Sequence, residues 1–202
     1  FKINAAFSKG YDWIANNYSD LNGNANKSTN LYGLDNPAID PVNSYGNESS
    51  NRRTISLQGK NYVVGRSGYA EKEVVDYSLQ NIKGDAGVYY KLSSTATLSY
   101  LFHFAYLNTV YQRSNRFRLQ DYFLQQHGIQ YQSKSVQARI YLNAENTGKS
   151  YNLRSMAENI DRSFKDDNTW YADYAAGFNN AFRAGAAPSA APTKRSPPVR
   201  RN

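Results

Sequence analysis

The chain contains no cysteine, which excludes a disulfide framework and any thiolate metal centre. Nowhere do about 18 apolar residues follow one another, so no helix in the sequence is suited to cross a bilayer. That absence leaves strands open as membrane spans, because alternating strands barely register in hydropathy. Histidine is scarce as well: His103 and His127 fall on separate strand-like stretches with no third ligand indicated. No transition-metal site and no cofactor are therefore expected. No basic and apolar leader stands ahead of Phe1, which already lies inside a strand-like run. The expectation is either a processed beginning or an internal piece of a longer chain.

What is present is an unusual pairing of polarity with aromatic content. Mean hydropathy is -0.74, low for 202 residues that must build a core, yet the chain holds 18 Tyr. A barrel with a wet interior and interfacial aromatic girdles has that composition, and so has a secreted β-rich domain that binds glycans. The net charge of +8 raises polyanions as partners. Much of the excess sits in Arg183, Lys194, Arg195, Arg200 and Arg201. Residues 184–202, rich in Ala and Pro, read as a disordered basic tail. Such tails are more often solvated than bound, so nucleic acid is not an expected partner.

Period-two alternation locates five strands, at about 1–9, 80–92, 95–107, 121–132 and 135–146. The clearest places Ala96, Leu98, Tyr100, Phe102, Phe104 and Tyr106 on one face, with Thr97, Ser99, Leu101, His103 and Ala105 on the other. Its length approaches the roughly 9–11 residues that a tilted membrane strand needs. In the neighbouring runs Lys83 and Arg139 fall on the polar face. A mid-strand charge is harmless toward a wet lumen and costly toward lipid, so this shared phase carries weight. The fold class expected is all-β: antiparallel up-and-down strands of a partial transmembrane barrel.

The connections predict tight turns at 93–94 and 133–134, against long excursions at 10–78, 108–120 and beyond 146. Short turns on one side and long loops on the other is the polarity of outer-membrane barrels. The first excursion is rich in Asn, Ser, Gly and Pro, with strand-like patches at Arg53–Val64 and Glu73–Leu79 that together suggest a further hairpin. Near the C-terminus the period changes. Leu153, Met156, Ile160 and Phe164 are helix-spaced, as are Trp170, Tyr174, Phe178 and Phe182, which predicts helices that either cap an external loop or dock on a soluble sheet. Five strands cannot close in lipid, so the sheet is expected to belong to something larger.

Four stretches carry a family resemblance, in order along the chain. They are Gly68-Tyr-Ala-Glu-Lys-Glu-Val-Val-Asp-Tyr77, Tyr111-Gln-Arg-Ser-Asn-Arg-Phe-Arg-Leu119, Glu145-Asn-Thr-Gly-Lys-Ser-Tyr151 and Lys165-Asp-Asp-Asn-Thr-Trp170. Together they resemble the barrel that follows the plug domain in TonB-dependent outer-membrane receptors, close to the SusC-like group. The likeness covers roughly residues 1–182, so residues 1–183 are read as one barrel segment, apart from the tail. It implies a barrel of roughly 22 strands with a plugged lumen, in the outer membrane of a Gram-negative bacterium. It also implies import of a glycan, siderophore or peptide-class solute, powered by the TonB complex through a plug region that this sequence lacks. Outer-membrane lipid is an implied partner, and a surface lipoprotein of the SusD type is a further one.

The loop following the third strand supplies the candidate solute contacts Tyr111, Gln112, Arg113, Asn115 and Arg116. Aromatic faces and guanidinium forks suit sugar, carboxylate or phosphate groups, although residues of this kind more often pack against neighbouring loops or the plug. Asp20-Leu-Asn-Gly-Asn24 starts like a calcium loop, but the Gly falls early and no Glu stands at the twelfth position. A looser site with Asp35 or Asp40 is the remaining form of that idea. Glu71, Glu73 and Asp76 do not define an acid pair across a cleft, so the chain is read as no enzyme.

Overall fold

The computed structural model describes residues 1–14, 16–41, 43–46, 52–112 and 116–185. In chain order its strands are β1 (Lys2–Tyr11), β2 (Ser44–Tyr45), β3 (Arg53–Leu57), β4 (Lys60–Val64), β5 (Tyr69–Ala70), β6 (Ser78–Lys91), β7 (Thr97–Tyr111), β8 (Phe117–Gln132), β9 (Gln137–Asn146) and β10 (Tyr151–Asn152). Its α-helices are α1 (Glu71–Val74), α2 (Leu153–Phe164) and α3 (Asp167–Arg183). None of these helices is long and apolar enough to cross a membrane, which says nothing about strands. Where the sequence suggested one segment over 1–183, the chain divides into two compact units. One joins Phe1–Trp13 to Asp76–Asn152; the other joins Ile14–Val75 to Leu153–Asn202.

The first unit is a single antiparallel meander in the order β1-β6-β7-β8, with β9 and then β10 along the far side of β8. It corresponds to the five expected strands, each within a few residues. Among the described residues the strands β1 and β9 pair on one side only, so the sheet is open. The turn after β6 is closed by Leu92 N–H donating to Ala96 O at 2.9 Å, and the turn after β8 by Ser133 N–H donating to Val136 O at 2.8 Å. The long excursion expected at 108–120 is not found. There, β7 continues to Tyr111 and β8 begins at Phe117, leaving 112–116 as the connection.

The cause of that misreading is a bulge. Leu107 pairs with Tyr122 and Thr109 with Leu119, so Gln120 and Asp121 stand opposite Asn108 alone. Two residues against one break the alternation from which strands are recognised. Asp121 takes φ +54°, a left-handed backbone rarely adopted by residues other than glycine. The side chain of Asn108 accepts from its N–H at 3.0 Å, and its carboxylate accepts from Tyr106 Oη at 2.5 Å. On the other flank Gly148, at φ +57°, lies so close that a Cβ there would be 2.4 Å from Asp121 O. Only glycine fits.

Cross-strand register turns the alternation into two faces. Ile3, Ala5 and Phe7 of β1 align with Ala86, Gly84 and Ile82 of β6. These align in turn with Phe102, Phe104 and Tyr106 of β7. On β8 the row continues through Phe123 and Ile129, and on β9 through Ile140 and Leu142. Phe104 lays its ring over Gly84, filling the space a side chain would take. The opposite face carries Lys83, Asp85, His103, Gln126, Asn143 and Arg139. Within this unit no second layer covers the apolar face: Ile3 is 70% exposed, Ile140 77% and Leu142 66%. From Ile82 to Tyr90 and from Leu98 to Tyr106 the apolar band extends ~27 Å along the strands.

The second unit has an ordinary small core. Gln58 and Gly59, both at positive φ, turn β3 into β4, so the hairpin forms wholly within the first of the two strand-like patches. Leu57, Tyr62 and Val64 of that hairpin pack with Leu31 and with Tyr171 and Phe178 of α3. Trp170, Tyr174 and Ala175 close the edge of the cluster. The patch at Glu73–Leu79 divides instead, into the end of α1 and the start of β6. On α2 the buried positions are Leu153, Ala157 and Asp161, spaced by four, while Phe164 stands exposed. Asp166 caps α3 by accepting from Thr169 N–H at 3.0 Å.

Asparagine, read from sequence as loop filler, is the organising side chain of this unit's irregular part. Asn26 is buried; its amide donates to Val63 O at 2.8 Å and to Asn36 Oδ1 at 2.8 Å, and accepts from Val63 N–H at 2.8 Å. It thus substitutes for a missing strand beside β4. Asn26→Ala leaves both Val63 backbone groups without that partner, and a loss of about 1–3 kcal/mol in denaturant unfolding is expected. A shift within a few tenths would refute the role.

Burial raises the hydroxyl pKa of Tyr171 and of Tyr174 to about 12 each. Unfolded Tyr ionises near 10. The neutral folded forms therefore stabilise the unit below about pH 10, and the stabilisation is lost as pH rises toward 12. Tyrosinate absorbance and helix circular dichroism should change together over that interval. Ionisation of all Tyr near 10 with no structural transition would contradict this assignment.

Candidate functional site

Two surfaces of the first unit have the chemistry to meet a solute. One lies where the expected loop residues fall. Tyr111 ends β7, and Gln112 and Arg116 flank the connection; Arg113 and Asn115 lie outside the described residues. The described members gather at Trp13, just past β1. The Arg116 guanidinium lies over the indole at 5.5 Å from the ring centroid, and Gln112 Nε2 reaches Trp13 O at 3.5 Å. Asp12 fixes this corner, its Oδ2 accepting from Val110 N–H and Thr109 Oγ1, each at 3.2 Å. An exposed indole beside a stacked guanidinium offers a flat apolar surface edged by donors. Trp13 was missed from sequence. The signal available was its place immediately after β1, which the meander brings to the same sheet end as Tyr111.

The other surface is the polar face of the sheet. His103, Leu124, Gln126, Asn143 and Glu145 line a hollow of about 420 Å³. A second, of about 370 Å³, shares His103 and Gln126 and continues along Gln130, Arg139 and Tyr141. Neighbouring strands tie this wall together: Gln126 Nε2 donates to Asn143 Oδ1 at 2.7 Å, Tyr122 Oη to Glu145 Oε1 at 2.6 Å, and Arg139 to Gln130 Oε1 at 3.3 Å. Amides, a phenol, an imidazole and a guanidinium in sequence supply alternating donors and acceptors. Such a wall suits a hydroxyl-rich or peptide-like solute passing in water.

Other candidates are committed elsewhere. His127 lies on the apolar face, where Nδ1 hydrogen-bonds Tyr100 Oη at 2.7 Å and the ring packs on Phe102. His103 is on the opposite face, so one metal cannot join them. The carboxylate of Asp20 accepts from Asn22 N–H, Asp40 N–H and Asn36 Nδ2, at 2.8, 2.9 and 2.8 Å. Asp40 pairs with Arg52 at 3.0 Å, and no cluster of three His, Asp or Glu suited to a metal occurs among the described residues. Glu71 is buried and accepts from Tyr45 Oη at 2.8 Å, Glu73 accepts from Ala70 N–H, and Asp76 pairs with Arg118. Each of the three acids serves a different local structure.

Comparison with known proteins returns no matching family model, no matching curated protein and no matching solved structure.

Proposed function

We propose that this chain is part of the barrel wall of a TonB-dependent, SusC-like importer in a Gram-negative outer membrane. The observation that carries the reading is a single layer of long antiparallel strands with two open faces of opposite character. One is apolar over a bilayer-like height; the other holds Lys83, Asp85 and Arg139. In water the apolar face exposes Ile3, Phe7, Ile140 and Leu142 together, an arrangement soluble domains avoid. In lipid the same face is solvated, and the polar wall borders the solute path. The solute is of the glycan, siderophore or peptide class. TonB engagement through a plug and a SusD-type lipoprotein partner enter by resemblance alone.

Fractionation of cells expressing the intact gene tests this directly. Recovery only after detergent extraction of the outer membrane is expected. A monodisperse soluble monomer would sink the proposal and favour a secreted β-rich glycan-binding domain.

A further inference from the structure

The apolar face does not run the full height of the sheet, and its upper boundary is a row of donors. The last apolar row is Phe7, Ile82 and Tyr106; the next row on the same face is Lys9, Gln80 and Asn108. These three line a hollow of about 400 Å³ whose floor includes Arg118. Arg118 is buried, held by Ser78 O at 2.9 Å and by Asp76 at 3.5 Å.

The acids of the hollow are already engaged. Asp76 accepts from Ser78 N–H and Oγ and pairs with Arg118, while Asp121 accepts from Tyr106 and faces Lys149 at 3.8 Å. Lys9 Nζ, the Gln80 amide and Asn108 Nδ2 make no hydrogen bond with the described residues. The uncommitted groups are therefore the Lys9 ammonium, the Gln80 and Asn108 amide N–H groups and Arg118 Nε, which is buried with no hydrogen-bond partner among the described residues. Although Asp76 and Asp121 balance the two cations, this donor set suits an anion.

We infer that Lys9, Gln80, Asn108 and Arg118 form a binding site for the phosphate of a membrane lipid headgroup. The inference rests on the membrane reading above, because the site matters for lipid only if the apolar band is immersed. Successive rows on one face are roughly 7 Å apart. A lipid whose chains lie along Phe7, Ile82 and Tyr106 brings its headgroup to the donor row, at the interface where basic side chains meet lipid phosphate. Tyr106 joins the two, its ring in the apolar row and its hydroxyl on the bulge.

The test uses the full chain in neutral maltoside micelles, titrated with short-chain phosphatidic acid and separately with inorganic phosphate. Saturable binding of phosphatidic acid is expected, weakened about tenfold by Lys9→Gln. Lys83→Gln removes the same charge from the opposite face and should leave binding unchanged. Equal weakening by both variants, or no saturable binding by inserted chain, would overturn the site. Inorganic phosphate binding as tightly as the lipid would overturn the lipid assignment. Flotation of the same preparation with phosphatidylcholine vesicles separates the two failures. Chain that floats but ignores phosphatidic acid refutes only the site; chain that does not float refutes the membrane reading and this inference with it.

Discussion

Leu142→Arg should destabilise the chain in lipid vesicles by about 2–4 kcal/mol, while Tyr141→Arg, one residue earlier, should cost about 1 kcal/mol or less. The two positions lie side by side on β9 and are similarly exposed, 66% and 62%. In water an arginine at either site is solvated, and the two variants should behave alike. Only immersion of one face separates them, because a guanidinium near the bilayer centre loses hydration that a wet lumen preserves. Denaturant unfolding in phosphatidylcholine vesicles, read by Trp fluorescence, measures the difference. Equal effects would show that both faces see the same solvent, and the membrane reading would fall.

Phe178→Ala is the second large effect, expected to remove about 3–5 kcal/mol from the helix-and-hairpin unit. Phe178 is 3% exposed and meets Tyr62 with ring centroids 5.3 Å apart. It joins α3 to the hairpin in a cluster of six buried residues among those described, so little else is available to fill the void. A small domain holds roughly 5–15 kcal/mol in total, so this one substitution takes a large share. Loss of near-ultraviolet circular dichroism and a lowered denaturation midpoint are the readouts. Phe182→Ala, four residues on and 45% exposed, is the control and should shift the midpoint little. Equal losses at both positions would refute the assigned core.

The long strands of the first unit were legible because residues such as Leu98, Phe102 and Tyr106 repeat every second position without interruption. Lys83 and Arg139 fixed the phase without any knowledge of pairing. The bulge was not legible, since Gln120-Asp121 reads like any polar pair until Asn108 is seen opposite. In the second unit the spacing of Trp170, Tyr174 and Phe178 revealed α3 and its inner face. The face of α2 was only partly visible: its buried stripe uses Asp161, which polarity alone assigns to solvent. Asn26 and Asn36 were hidden for a related reason, because their value lies in partners such as Val63 and Asp20 that are distant in sequence. At the candidate corner Tyr111 and Arg116 were recognisable as chemistry, but Trp13 became their neighbour only through the meander.

The one-sided pairing of β1 and β9 also fixes a matter of parity. Each neighbouring pair from β1 through β6, β7 and β8 to β9 is antiparallel, so the two outermost strands point the same way. Copies of this sheet joined head to tail would meet in a parallel seam, which an up-and-down barrel does not contain. Two copies joined through identical edges would meet antiparallel and leave two edges still open. A cylinder that includes this sheet and alternates direction all the way around must therefore recruit an odd number of additional strands.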